Sequence, residues 1–248
     1  MLLQSIPIKV TLANLKSSCA SCALHELCLP MGLSAGDTER LDQIINVRHK
    51  TERGDYLYRS GGIFRSLFAI KSGFFKTFSL GDEGQEKITG FYMTGDILGM
   101  DAISSDRHHY NAVALEDSMV CEIPFSELEE LAGSLPTLAH QFHKLMSREI
   151  TQDQQHMLLL GKMKAEQRLA AFLLNLSQRF ALRGFSSDHF HLRMTREEIG
   201  NYLGLTLETV SRTFARFQAE GILQVNHRDV TVKDSARLAA LLDHYEPA

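Results

Sequence analysis

The chain has 248 residues, 44% of them apolar and 23% charged, enough for one large or two medium cores. No apolar run approaches the roughly 20 residues of a membrane-spanning helix, and Met1 to Val10 lacks the basic-then-apolar order of a secretory leader, so a cytoplasmic protein is expected. The net charge of −4 is unevenly spread: from Lys162 onward 12 Lys and Arg face 10 Asp and Glu, against 14 and 20 before it, so the C-terminal third tolerates a polyanion best.

In chain order, residues 1–30 are irregular and hold Cys19, Cys22 and Cys28. Residues 31–135 read as a second unit, with a short helix near 37–45 and then mainly strands. Nine of the 17 glycines fall between Gly54 and Gly99 and separate apolar runs at 56–58, 67–70, 74–79 and 88–92. Short strands at close, glycine-marked intervals point to a small antiparallel barrel or sandwich. Asp82, Glu83, Gly84, Gln85 and Glu86 fall at a hairpin tip in that pattern. From Pro136 glycine becomes scarce, and Phe142, Met146, Ile150, Met157 and Leu160 recur at helical spacing, which predicts a long helix over 136–163. The last unit, 164–248, opens with an amphipathic helix over 165–180 and continues as helix, turn, helix and hairpin.

That turn region carries the clearest chemistry. Thr195 with Glu198 is a capping box, Ile199 and Leu203 form an apolar stripe, and Gly204 allows a tight turn. Thr206 caps the next helix, whose buried face is Val210, Phe214 and Phe217, and Gly221 ends it. Glu208, Thr209, Ser211 and Arg212 lie toward the start of this second helix, the end that enters the major groove in a helix-turn-helix. Arg pairs with guanine, Glu accepts from cytosine N4, and Ser serves several base edges. Residues 222–225 and 230–232 read as a wing hairpin. The plainer alternative is a helical hairpin with solvated charges.

Cys121 lies far from the other three cysteines, in a strand-like stretch. Four thiols in a reducing compartment are not expected to form structural disulfides. C-x2-C-x5-C plus one distant Cys suits either zinc or an iron–sulfur cluster. Three ligands plus one is less usual for structural zinc, which favours two close pairs.

The string IGNYLGLTLETVSRTFARFQAEGIL resembles the DNA-binding signature of the CRP/FNR family of bacterial regulators. GDYLYRSGG, SLFAIKSGFFK and GQEKITGFYMTGDILGMDAI resemble its β-roll, so similarity extends from about Cys19 to Val232. The resemblance implies an α+β fold: a cyclic-nucleotide-binding-like β-roll, a long dimerisation helix, and a winged helix-turn-helix. The cysteine arrangement is similar to that of the oxygen-sensing FNR branch. There the corresponding residues, here Cys19, Cys22, Cys28 and Cys121, hold a [4Fe–4S] cluster that oxygen converts to [2Fe–2S]. Further implications are a TTGAT-like inverted repeat as DNA target and contact of RNA polymerase with the 82–86 tip and with Ser186. Cyclic-nucleotide-binding members follow a phosphate-holding Arg with Ser or Thr; here Arg107 is followed by His108 and His109, so no cyclic nucleotide is expected. Those two histidines read as a solvated loop rather than a metal site.

Ala139, Met146, Asp153 and Leu160 recur every seven residues, with Phe142 and Met157 beside them, which places Asp153 on an otherwise apolar seam. In a parallel homodimer two such carboxylates about 6 Å apart repel by ~3 kcal/mol at most. Asp153 is thus expected to hold the chain near the monomer–dimer threshold, as the acidic residue of FNR relatives is proposed to do; a solvated position at the seam's edge is the alternative. Ala23 and Leu27 are expected to control access to the cysteines. An iron–sulfur oxidoreductase is the rival of another class, but the chain has neither a dinucleotide fingerprint nor a second cofactor motif, so no enzyme is expected.

Overall fold

The computed structural model describes residues 18–45 and 47–242, so the leader reading at Met1 to Val10 lies outside the described residues. Cys19–Ser21 form one 3-10 turn, followed by irregular turns to Gly32. Helix α1 (Ala35–Ile44) starts where the Ser34 hydroxyl accepts from Asp37 N at 3.2 Å.

Eight antiparallel strands then form two four-stranded sheets. One runs β1 (Val47–Thr51), β8 (Ser118–Pro124), β3 (Ser66–Ser72), β6 (Ile97–Leu98); the other runs β2 (Tyr56–Tyr58), β7 (Asn111–Ala114), β4 (Phe74–Leu80), β5 (Glu86–Met93). Ile70, Phe75, Leu98, Ala112 and Val120 fill the space between them. A second apolar cluster joins Leu29 of the cysteine segment to Leu41, Leu67, Ile123, Leu128 and Leu138. Leu29 is the buried peg that seats the cysteine segment on the roll.

Three elements differ from the sequence expectation. Helix α2 (Phe125–Ser134) replaces the last stretch read as strand. Phe125, Leu128, Leu131 and Ala132 turn inward at helical spacing while Glu127, Glu129 and Glu130 point outward. Strand β9 (His189–His191) adds a third strand to the wing, and helix α7 (Ser235–Ala240) closes the C-terminal unit. Within the roll, His108 also differs from the expected solvated loop. It is buried and stacked on Tyr58 at 3.8 Å, with Nδ1 3.7 Å from Asp101, while His109 is exposed. Successive side chains point to opposite sides, so one histidine of the pair enters the core and the other meets water.

Helix α3 (Pro136–Lys162) spans 27 residues with Pro at its first turn. Helices α4 (Ala165–Leu182), α5 (Arg196–Leu203) and α6 (Leu207–Ala219) follow, then β10 (Leu223–Asn226) and β11 (Asp229–Val232). Polar contacts fasten these helices to the roll. Asp96 receives Arg179 and Arg183 at 2.5 and 2.6 Å. The Asn201 amide donates to Glu86 O at 2.7 Å and its carbonyl accepts from Ile88 N at 2.8 Å. Lys76 pairs with Glu86 at 2.6 Å on its own sheet and with Glu198 of α5 at 3.1 Å. The β4–β5 hairpin is therefore bonded to the first helix of the helix-turn-helix.

Candidate DNA-reading face and cysteine site

Helices α5 and α6 are positioned by local chemistry. The Thr195 hydroxyl accepts from Glu198 N at 3.1 Å, and the Glu198 carboxylate accepts from Thr195 N at 2.7 Å. Gly204 ends α5 with φ 63°, and a Cβ on Gly200 would stand 2.7 Å from Leu205 O, so the turn folds back too tightly for a side chain there. The Thr206 hydroxyl accepts from Thr209 N at 3.2 Å and starts α6. Val210, Phe214 and Phe217 are buried, each contributing about 1.5–3 kcal/mol. That burial turns Leu207, Glu208, Ser211 and Arg212 to solvent, with Thr209 half-buried beside them.

The exposed set is suited to reading bases. Arg212 lies one turn after Glu208, and the helix's own N-terminal N–H, the Thr206 hydroxyl and Arg212 hold the Glu208 carboxyl below its ordinary range. A charged acceptor and a charged donor thus share one face, four residues apart. Behind it, Arg216 pairs with Glu220 at 2.7 Å and with Glu166 of α4. Arg196 lies 3.4 Å over the Phe214 ring, where desolvation and Arg228 push its guanidinium down to about 10. Neither Arg196 nor Asn201 was marked by the sequence pattern, which registers an exposed helix position without its partner.

Along α3 the expected seam residues fall into two groups. Ile150 and Met157 are 58% and 64% exposed, a large apolar face uncovered in the single chain. Asp153 is exposed between them, although the walls of the adjoining cleft desolvate its carboxyl and raise it above the ordinary range. Met146 and Leu160 are half-buried along the cleft between α3 and the roll. Phe142 packs against Phe125 of its own chain, with ring centroids 6.3 Å apart. Glu149, not anticipated, accepts from the Tyr92 hydroxyl at 2.6 Å, and burial, with Asp153 and Asp96 nearby, raises its carboxyl to about 7.

At the far end of the roll, Cys19, Cys22, Cys28 and Cys121 line one small cavity with His25, Pro30, Ile45, Ala69 and Lys71. All four are free thiols. Cys121 comes from the middle of β8, paired with Arg48 on one side and Ala69 on the other. Burial pushes the Cys28 thiol up to about 12. Burial, then Asp42, lifts Cys19 well beyond the thiol range, whereas burial raises Cys121 against the opposing pull of Arg48 and Lys71. Thiols this hard to ionise become good ligands only when a bound cation supplies compensating charge. As donors the four suit an iron–sulfur group: four sulfurs line one cavity whose wall includes the cationic Lys71, with Asp42 the carboxylate at the Cys19 corner. Among the described residues no three metal-binding side chains are grouped to chelate a single ion; a cluster differs in taking each cysteine on a separate iron. Of the access residues, Ala23 is exposed, and Leu27, half-buried, would touch a Cβ added to Gly95.

The 82–86 tip is exposed throughout, and Glu86 within it is bonded to Lys76 through its carboxylate and to Asn201 through its backbone carbonyl. Ser186 sits on an exposed turn, bonded to Asp188 at 2.5 Å. Arg107 turns away to bond Gly61 O at 2.7 Å.

Residues 48–134 match the cyclic nucleotide-binding domain, and residues 167–241 match the Crp-like helix-turn-helix domain. The chain is 49% identical over 226 residues to the fumarate and nitrate reduction regulatory protein of Salmonella typhimurium, covering 91% of this chain and 90% of that one. It is 47% identical to the transcriptional activator protein anr of Pseudomonas aeruginosa, over 91% and 93%. Among solved structures, FixK2 from Bradyrhizobium japonicum superposes with a TM-score of 0.74 at 30% identity, covering 82% of this chain and 98% of that one.

Proposed function

The chain belongs to the CRP/FNR family and is a DNA-binding transcription regulator, not an enzyme, and from that premise we propose that it senses oxygen in the cytoplasm. Convergence of the distant Cys121 with the three N-terminal cysteines on one cavity is the observation that carries this reading. Cys19, Cys22, Cys28 and Cys121 would hold a [4Fe–4S] cluster. Such a cluster would supply an oxygen-labile centre, its [2Fe–2S] form being the oxygen-exposed state.

The chain's own residues do the rest. Leu29 ties the cysteine segment to the core that also receives Leu138 at the start of α3, so rearrangement of the segment reaches the dimerisation helix through packed side chains. Ile150 and Met157, with Met146, Leu160 and Phe142 at the margin, form the homodimer face, and Asp153 weakens it enough to make dimerisation conditional. Two α6 helices then read the half-sites of a TTGAT-like inverted repeat through Glu208, Ser211 and Arg212, with Thr206 and Thr209 ordering the first turn. The 82–86 tip and Ser186 face RNA polymerase. Cyclic nucleotide is no part of this reading, because Arg107 is followed by His108 and His109 rather than by Ser or Thr.

Protein purified without oxygen tests it directly. A brown protein whose visible absorption changes as air is admitted, with parallel loss of dimer and of binding to the inverted repeat, is expected. A colourless, zinc-containing protein indifferent to air would remove the sensing and leave a zinc-stabilised DNA reader. Replacing Glu208 by Ala should relax discrimination at one base pair by ~1–3 kcal/mol. An equal loss on every sequence would instead make Glu208 a structural residue.

A further inference from the structure

The cysteine cavity has a frame that reaches across it. The backbone N–H of Cys19 donates to Asp42 Oδ1 at 3.0 Å. The same oxygen lies 3.7 Å from Nη2 of Arg48, and Asp42 and Arg48 are both half-buried. Arg48 is the direct cross-strand neighbour of Cys121. A continuous line of contacts therefore runs from the loop corner, Cys19, through Asp42 at the end of α1 and Arg48 on β1, to the strand corner, Cys121. Its two middle members sit on regular elements, whereas three of the four cysteines sit on turns.

We propose that Asp42 and Arg48 act as one positioning pair that sets the separation of Cys19 and Cys121 and so holds the cysteine set ready for its metal group. The proposal rests on the cluster-binding reading given above. It assigns Asp42 the task of orienting the chain at Cys19 through the main-chain N–H, and Arg48 the task of anchoring Asp42 while keeping a positive group beside Cys121. Groups that orient ligands from behind govern how well the ligands hold a metal, typically by 10–100-fold in affinity. An ordinary surface ion pair would instead add little to fold stability and nothing to metal retention.

The test compares the full chain with Asp42→Ala, Asp42→Asn, Arg48→Met and the Asp42→Ala/Arg48→Met double variant after anaerobic loading with iron and sulfide. Three properties are read: iron and sulfide per chain after chelator challenge, the lifetime of the visible absorption in air, and thermal melting of the cluster-free protein. Asp42→Ala and Arg48→Met should each lose iron to chelator on the order of tenfold more readily. The double variant should be little worse than either single one, because both break the same line of contacts. Asp42→Asn, which keeps an acceptor for the Cys19 N–H, should recover part of the loss. All cluster-free proteins should melt together. If wild type loads and the variants retain iron equally well, the positioning role is wrong. If their iron loss tracks a lowered melting temperature and Asn gives no rescue, the pair is merely structural and the proposal is likewise overturned. A wild type that takes up no cluster would instead sink the sensing reading itself, and this inference with it.

Discussion

In the winged domain every side chain proposed to read bases rides on an element whose start, stop and buried face are fixed by its own sequence. The Thr195–Glu198 box, the turn at Gly204, the Thr206 cap and the Val210, Phe214, Phe217 stripe all lie within 23 residues of one another. In the cysteine segment three of four functional side chains ride on turns, and the fourth arrives from a strand about a hundred residues away. What aligns them is borrowed: Leu29 seated in the roll, Asp42 at the end of α1, Arg48 on β1. On the proposed reading, a self-specified reader is joined to a cysteine site framed from outside, an arrangement suited to a switch whose state-changing part is drawn from the less stable end of a molecule.

The strongest separation of the two ends comes from Cys121→Ser. Iron content should fall to background and anaerobic binding to the inverted repeat should fall to the level of air-exposed wild type, while circular dichroism stays unchanged. Full iron retention by this variant would mean that the strand cysteine is not a ligand. The converse break is Phe217→Ala, which empties a fully buried site behind the recognition helix and should cost about 3–5 kcal/mol. Chemical denaturation should show the winged domain unfolding early, with iron uptake at the other end intact. If uptake fails in parallel, the two ends fold as one unit and the contrast is false.

How much of this was legible follows the same divide. The helix-turn-helix could be read residue by residue because capping, glycine turns and apolar periodicity are local signals. The roll was legible as glycine-spaced strands but its edges were not. Helix α2 follows a long run of strands, which masks the helical spacing of Leu128 and Leu131. Strand β9 is three residues long and exists only through its pairing with β11, and no local pattern announces that. The sequence places His108 in a solvated loop because it does not show that Tyr58 covers it. The cysteines could be recognised as a set, but their frame could not: Asp42 and Arg48 look like ordinary surface charges until the fold brings Cys121 beside Arg48. Likewise Asn201 is an unremarkable helix residue until the β4–β5 hairpin docks on it.

Between the two ends lies Glu149, and it offers a pH test of the joint. Its folded carboxyl is raised from the ordinary 4.5 to about 7, chiefly by burial. Between those values the folded chain holds a proton that the unfolded chain releases. Its stabilising contribution is full below about pH 4.5 and fades as pH rises through about 7. Each pH unit in that window removes up to ~1.4 kcal/mol. Denaturation from pH 5 to pH 7.5 should therefore show wild type weakening more steeply than Glu149→Gln. An identical slope in both proteins would assign the pH dependence to another group.

The smallest expected effect bears on the claim that the reader specifies itself. Thr206→Ala removes the hydroxyl that accepts from Thr209 N and should cost about 1 kcal/mol of stability. The helix will still form, because Val210, Phe214 and Phe217 hold its body in the core. Its first turn, however, carries Glu208, and loosening that turn spreads the carboxylate over more positions than one base pair can use. The loss should therefore be larger for the matched half-site than for a mismatched one, and Thr206→Ser, which keeps the acceptor, should restore both stability and discrimination. Equal weakening on matched and mismatched DNA would show that the cap serves folding alone. No change in either would show that the buried stripe orders the first turn unaided, and the local signal that made this helix readable would then be incidental to how it reads.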